Sequence, residues 1–193
     1  SLYGYQKEGV LGYYKLSGDE LTIDTLSEKP FYQILNEEAQ EVPVPFYRYY
    51  HRGNDVHIYT KSNNEFESQS FGVTGSDGVT QEGFLYIHLN DSNGKKPVYR
   101  YIQNSSGNYL YITNPLEIEN TRIGETGKYG YSLQHIEGYL YPQDPGNGTP
   151  IFRFYKLISG GHFYTDNNVE AAVLREKTGE MREETMLGWY KLG

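Results

Sequence analysis

The chain has 193 residues, a formal charge of −8 and no cysteine. That leaves room for one domain or two small ones, with enough length for a real core, and removes disulfides, thiol nucleophiles and cysteine-based metal centres. Its acidity, its mean hydropathy of −0.70 and the lack of any apolar run near the roughly 20 residues that span a bilayer argue against a nucleic-acid backbone, an anionic membrane or membrane insertion. Twenty-one tyrosines against two methionines and one tryptophan predict an aromatic core whose hydroxyls need partners.

The chain opens at Ser1 with neither a methionine nor an apolar leader, so it is expected to be a processed or trimmed product. Leu11-Gly12-Tyr13-Tyr14-Lys15-Leu16 nearly duplicates Leu187-Gly188-Trp189-Tyr190-Lys191-Leu192 and reads as the tail of a repeat. Residues 17–44 fit no copy well. Then Pro45-Phe46-Tyr47-Arg48-Tyr49-Tyr50, Pro97-Val98-Tyr99-Arg100-Tyr101-Ile102 and Pro150-Ile151-Phe152-Arg153-Phe154-Tyr155 recur with arginines 52 and 53 residues apart. Nine positions after each arginine stand His57, Tyr109 and His162; eleven after stand Tyr59, Tyr111 and Tyr164. Aromatic and β-branched runs around a Gly/Asn/Asp/Ser turn predict a hairpin in each copy. Asn63, Asn114 and Asn167, each followed by acidic and helix-forming residues, predict a short helix, the third being the best formed, with Pro115 suited to a first helical position. The copies close on Glu82-Gly83-Phe84-Leu85-Tyr86, Glu137-Gly138-Tyr139-Leu140-Tyr141 and Leu187-Gly188-Trp189-Tyr190.

The expected fold is β-rich (α+β): three hairpin–short helix–strand repeats in a pseudo-threefold single domain. Residues 1–42 form an N-terminal extension with a partial repeat, and residues 43–96, 97–149 and 150–193 are the repeats. One such unit cannot bury its aromatic face alone, whereas stacked or radial copies can.

The pattern Pro-x-Tyr-Arg-Phe/Tyr-Tyr, a Gly-containing turn, His-Phe-Tyr-Thr, a short helix and Glu-Gly-x-x-x-Tyr resembles the tandem repeat of the DUF5648 family over about residues 43–193, most closely in residues 151–165. The resemblance implies a secreted, non-catalytic module that binds a surface ligand, glycans above all, as in the cell-wall lysins and secreted fungal and animal proteins that carry the repeat. Three departures stand out: Tyr109 for the family histidine, Ile112 for the threonine and Leu187 for the glutamate.

The residues support two readings at each signature position. Arg48, Arg100 and Arg153 are either one sugar or carboxylate clamp per repeat, or internal arginines stacked on tyrosines and paired with the repeat's glutamate. Tyr59, Tyr111 and Tyr164 alternate with Ile58, Leu110 and Phe163, so the two sets face opposite ways. If the apolar set is core, His57/Tyr59, Tyr109/Tyr111 and His162/Tyr164 form an exposed ladder suited to stacking on a sugar ring. If both faces are covered, they are packing. Tyr109 breaks the three-histidine set, so no metal and no cofactor are expected. His51, His88 and His135 show no ligand spacing, and Glu183-Glu184 reads as a solvated acidic pair. Catalytic motifs of serine hydrolases, zincins, P-loops and dinucleotide enzymes are missing. Sequons at Asn90, Asn104 and Asn147 lean toward secretion.

The chain is therefore expected to be an extracellular, non-enzymatic, multivalent, lectin-like binding protein for glycans or another extracellular surface ligand. Its ligand-binding set would be Arg48, His57, Tyr59, Arg100, Tyr109, Tyr111, Arg153, His162 and Tyr164. The alternatives are a structural or adhesive matrix protein, and an enzyme with a His/Tyr/Arg pocket between repeats.

Overall fold

The structure, a computed structural model, describes residues 42–62, 65, 79–120 and 122–192. The chain divides into two units, Ser1–Gln40 and Glu41–Gly193, and all described residues belong to the second. The repeat tail read at residues 11–16 lies outside the described residues.

The predicted hairpins form. Strand β1 (Val44–His51) turns through a single 3₁₀ turn, ended by Asp55 in the left-handed region (φ 51°), into β2 (Val56–Thr60), and β3 (Val79–Ile87) returns along the other side of β1. The second sheet repeats this plan with β4 (Lys96–Gln103), β5 (Tyr109–Ile112) and β6 (Tyr131–Leu140) in the order β5-β4-β6. The third sheet has β7 (Thr149–Lys156) at its centre and β8 (His162–Thr165) as hairpin partner. Its return strand is broken in two: β9 (Met181–Glu183) pairs with one end of β7 and β10 (Gly188–Tyr190) with the other.

The helices differ more than their asparagine signals suggest. Asn167 caps a nine-residue helix, α1 (Asn168–Glu176), its side chain accepting from the Val169 and Glu170 N–H groups. Asn114 caps only the 3₁₀ turn Pro115–Glu117, which is followed by Glu119 in the left-handed region (φ 55°). The asparagine signal at Asn63 lies outside the described residues.

Strand alternation divides each hairpin between two cores. Tyr59, Tyr111 and Tyr164 join one central cluster with Phe46, Leu85, Val98, Leu140 and Ile151. Their alternating neighbours fill separate clusters: Ile58 with Tyr49 and Val56, Leu110 with Tyr101 and Ile118, Phe163 with Phe154 and Leu174. Both faces are therefore covered. The three tyrosines are 0, 0 and 1 % exposed, which corrects the exposed stacking ladder expected of them in favour of packing.

What they do instead is close the centre. The β2, β5 and β8 strands are sheet edges, each with backbone groups open on one side. The Tyr111 hydroxyl donates to the Tyr59 carbonyl (2.7 Å) and accepts from the Tyr59 N–H (2.8 Å). The Tyr164 hydroxyl does the same for the carbonyl (2.9 Å) and N–H (2.8 Å) of Tyr111, and the Tyr59 hydroxyl for those of Tyr164 (2.9 and 2.8 Å). The cycle satisfies three hydroxyls and six backbone groups by direct bonds. The rings meet edge to face, with centroids 5.2–5.5 Å apart, a favoured aromatic geometry. Burial drives the three phenol pKa values well up, against the Arg48, Arg100 and Arg153 charges, which pull them down.

Candidate functional site

The repeated arginines sit at the junctions between sheets. Each stands on a central strand and takes one carboxylate from its own sheet and one from the sheet before it. Arg48 Nε lies 3.3 Å from Glu82 and its Nη1 3.0 Å from Glu170 of α1. Arg100 reaches Glu137 at 2.9 Å and Glu65 at 2.7 Å. Arg153 reaches Glu184 at 3.1 Å and Glu117 at 2.8 Å. Of the two readings of these arginines, the internal ion pair accounts for the guanidinium contacts. Arg100 also lies over the Tyr109 ring at 4.7 Å, and Arg48 over Phe163 at 4.8 Å.

The own-sheet carboxylate comes from a break in the return strand. The ladder jumps from Arg48↔Gly83 to Tyr49↔Gln81, skipping Glu82, and from Val98↔Gly138 to Tyr99↔Ile136, skipping Glu137. A bulge re-aims its extra side chain, here onto the arginine. In the third sheet the return strand breaks outright, and Glu184 turns in between β9 and β10. This corrects the assignment of Leu187 to the glutamate's place: Leu187 is buried in the central core, and the carboxylate arrives three residues earlier. It also corrects the reading of Glu184 as solvated. Burial pushes its carboxyl up, but His162, Arg153 and Arg182 outweigh that and hold it down at about 2.

A histidine completes each cluster. His57 Nε2 is 3.3 Å from Glu82 and His162 Nε2 is 3.4 Å from Glu184. Where the second sheet has Tyr109, the histidine arrives from β6: His135 Nε2 is 2.8 Å from Glu137. Burial lowers the His57 pKa against the pull of Glu82, so its imidazole stays neutral. Among the described residues no group of three or more His, Asp or Glu could hold a metal ion.

Two of these clusters line clefts. Between the second and third sheets lies a cavity of about 580 Å³, within the usual range for small-molecule sites. Arg153, His162, Glu184 and Glu117 line one side, Tyr131, Tyr155 and Asn108 form more of the wall, and Leu110 and Ile118 add apolar surface. Tyr129 also lines it, 67 % exposed and with φ at 58°, a strained backbone for an aromatic residue. Between the third and first sheets a cavity of about 320 Å³ is lined by His57, Glu82, Tyr50, Asp55, Lys156 and Phe163. There Lys156 Nζ binds both the carboxylate and the carbonyl of Asp55 at 2.6 Å.

The matching pieces extend further along the chain. Tyr50 stacks on His57 (centroids 4.7 Å), and Tyr155 lies against His162 (5.3 Å); each tyrosine stands two positions after its arginine. Lys156 lies over Tyr50 at 5.7 Å and Arg182 over Tyr155 at 5.1 Å. Each cleft thus holds a cation, a tyrosine, a histidine and a glutamate, and the larger one also Arg153.

A sequence model of the family described as a domain of unknown function, DUF5648, matches residues 45–192. The chain belongs to the DUF5648 family. No curated protein and no solved structure matched it. In this DUF5648 domain the structure brings His57 and His162 to clefts with their arginines' glutamates, packs Tyr109 beneath Arg100, and withdraws Tyr59, Tyr111 and Tyr164 to the centre. Sequence reasoning missed Glu65, Glu117 and Glu170. Their signal was present: each stands 17 residues after an arginine, yet pairs with the arginine of the following sheet.

Proposed function

We propose that the chain is a secreted, non-enzymatic binding protein whose three sheets are copies related by a pseudo-threefold axis through the tyrosine cycle, and which takes neutral carbohydrate in the clefts between copies. The observation that carries this reading is the lining of the larger cleft. Its charges cancel, Arg153 and Arg182 against Glu117 and Glu184, so it offers no net attraction to a charged ligand. It sets a displayed tyrosine beside a dense group of hydrogen-bonding side chains, which suits a ring with one apolar face and many hydroxyls. Glu184, held at about 2, lies far from the operating pH at which a general acid or base works best.

The site proposed here differs from the strand-face ladder read from the sequence. Its stacking ring is Tyr129, and its polar groups come from two sheets at once. Titration with an array of neutral mono- and disaccharides tests it. Tyr129→Ala is expected to weaken binding about tenfold, the scale of one aromatic contact, with an unchanged melting temperature because the ring is exposed. Unaltered binding in Tyr129→Ala, or a preference for anionic over neutral ligands, would overturn the reading. Secretion is checked separately: recovery of the natural protein in the cell fraction rather than the medium would contradict it.

A further inference from the structure

The outer edge of β3 differs from those of the other two return strands. Tyr59 turns its N–H and carbonyl outward to the Tyr111 hydroxyl. Arg48, opposite Tyr59 on β1, therefore turns its own backbone groups the other way, to Gly83 of β3. Bonded and non-bonded pairs alternate along an antiparallel ladder, so Leu85 and Ile87 bond to β1 as Gly83 does. Phe84 and Tyr86, between them, point their N–H and carbonyl groups out of the sheet.

Tyr139 and Trp189 hold the place of Tyr86 in the second and third sheets: they face Pro97 and Pro150 across the ladder, as Tyr86 faces Pro45. Both of those edges are filled. His88, leaving the first sheet, exchanges two backbone bonds with Tyr139 (3.0 and 2.8 Å), and Tyr141, leaving the second, exchanges two with Trp189 (both 2.9 Å). Among the described residues no such bridge reaches Phe84 or Tyr86. Phe84 is 48 % exposed, and a Cβ on Gly83 would meet nothing within 4 Å. A cavity of about 210 Å³ lies between this edge and the residues leading into α1. The two filled edges show what such an edge takes: an extended segment whose pairing residue carries a ring, His88 or Tyr141. Charge decides the rest. In the cavity Arg48 is already matched by Glu82 and Glu170, and Asp166 adds a further carboxylate, bonded to the Tyr190 hydroxyl, in a chain of net charge −8.

We propose that the β3 edge docks an extended segment of another protein, which adds a strand beside Phe84 and Tyr86 and carries a tyrosine or histidine flanked by lysine or arginine. In this mode main-chain bonds supply the affinity and side chains the specificity. The partner's ring covers the exposed face of Phe84, and a basic side chain meets Asp166. The site shares no residue with the two larger clefts and does not depend on the carbohydrate reading.

The test titrates the full chain with a fluorescein-labelled peptide, Thr-Lys-Tyr-Lys-Thr, read by anisotropy, and follows backbone amide exchange with and without it. One equivalent is expected to bind saturably, with the Phe84 and Tyr86 amides exchanging fast in the free chain and slowly in the complex. N-methylation of the peptide's tyrosine removes the donor that pairs with Tyr86 and is expected to weaken binding about tenfold, as is the exchange of both lysines for glutamate. Phe84→Pro removes an outward N–H and no ladder bond, a place where an edge strand tolerates proline, and should weaken binding to a similar extent. The methylated peptide carries the test even where that variant fails to fold. Slow exchange of both amides in the free chain would show the edge already covered and overturn the proposal. So would failure of the lysine peptide to bind, equal binding of the methylated or glutamate peptide, or pairing of the edge with a second copy of the chain in place of the peptide.

Discussion

Replacing Tyr111 with phenylalanine removes one oxygen from the centre of the molecule. That oxygen accepts from the Tyr59 N–H and donates to the Tyr59 carbonyl, on the open side of an edge strand and at a residue with no exposed surface. Water has no route to replace it. An orphaned buried polar group costs about 1–3 kcal/mol, so two orphaned groups cost about 2–6 kcal/mol, a large part of a domain's typical net stability of about 5–15 kcal/mol. The same change at exposed Tyr129 should move stability by less than about 0.5 kcal/mol. Urea denaturation of wild type, Tyr111→Phe and Tyr129→Phe measures both. Because the cycle treats its members alike, Tyr59→Phe and Tyr164→Phe should fall in the same range. The Tyr59→Phe/Tyr111→Phe double variant should lose less than the sum, since the two share a network. A loss below about 0.5 kcal/mol for Tyr111→Phe would refute the reasoning.

Further outcomes follow from the ion clusters, the phenols and the glycines. The Glu184 carboxyl is held at about 2 in the fold against an ordinary 4.5; a lowered folded pKa gives stability that is full above about pH 4.5 and lost as pH falls toward 2. Glu184→Gln should flatten that acid limb of the unfolding free energy by an amount on the order of 1–3 kcal/mol, given its partial exposure. Burial pushes Tyr101 and Tyr131 up to about 12 from 10, so their stabilisation is intact below pH 10 and lost as pH rises from there to about 12. Tyrosinate absorbance should therefore rise in two steps, the second coinciding with unfolding seen by circular dichroism. A Cβ at Gly138 would stand 2.5 Å from the His88 carbonyl oxygen, whereas one at Gly83 meets nothing within 4 Å. Gly138→Ala should cost about 1–3 kcal/mol in a thermal melt, and Gly83→Ala should leave the melting temperature within a degree or two.

The hairpins were legible because their signals are local: aromatic and β-branched runs around a turn put Tyr47 to Tyr50 in β1 and His57 to Thr60 in β2. The period-two split of Ile58 from Tyr59 was equally legible, but which face meets solvent was not. Both faces are buried because three sheets surround one centre, and a single strand's pattern carries no trace of a neighbouring sheet. The Arg100–Glu65 and Arg153–Glu117 pairs were hidden for the same reason, since the regular 17-residue spacing marks equivalent positions and not contacting ones. His135 and Glu184 were hidden by geometry of another kind. A bulge or break in the return strand decides which residue turns toward the arginine, so Glu184 serves where alignment pointed to Leu187, and His135 serves where Tyr109 had displaced the histidine. Asn114 gave a cap but little helix, since the left-handed backbone at Glu119 follows its single turn closely.

Where a sugar sits on the domain decides its function. A crystal structure of the chain grown with the neutral saccharide that binds best on the array is the most direct measurement. The expected result is a ring bound between the second and third sheets, against Tyr129 and with hydroxyls on the polar side chains that line the cleft, while the tyrosine cycle remains closed behind it. Sugar bound instead on the outer face of a sheet, with this cleft holding only water, would contradict it.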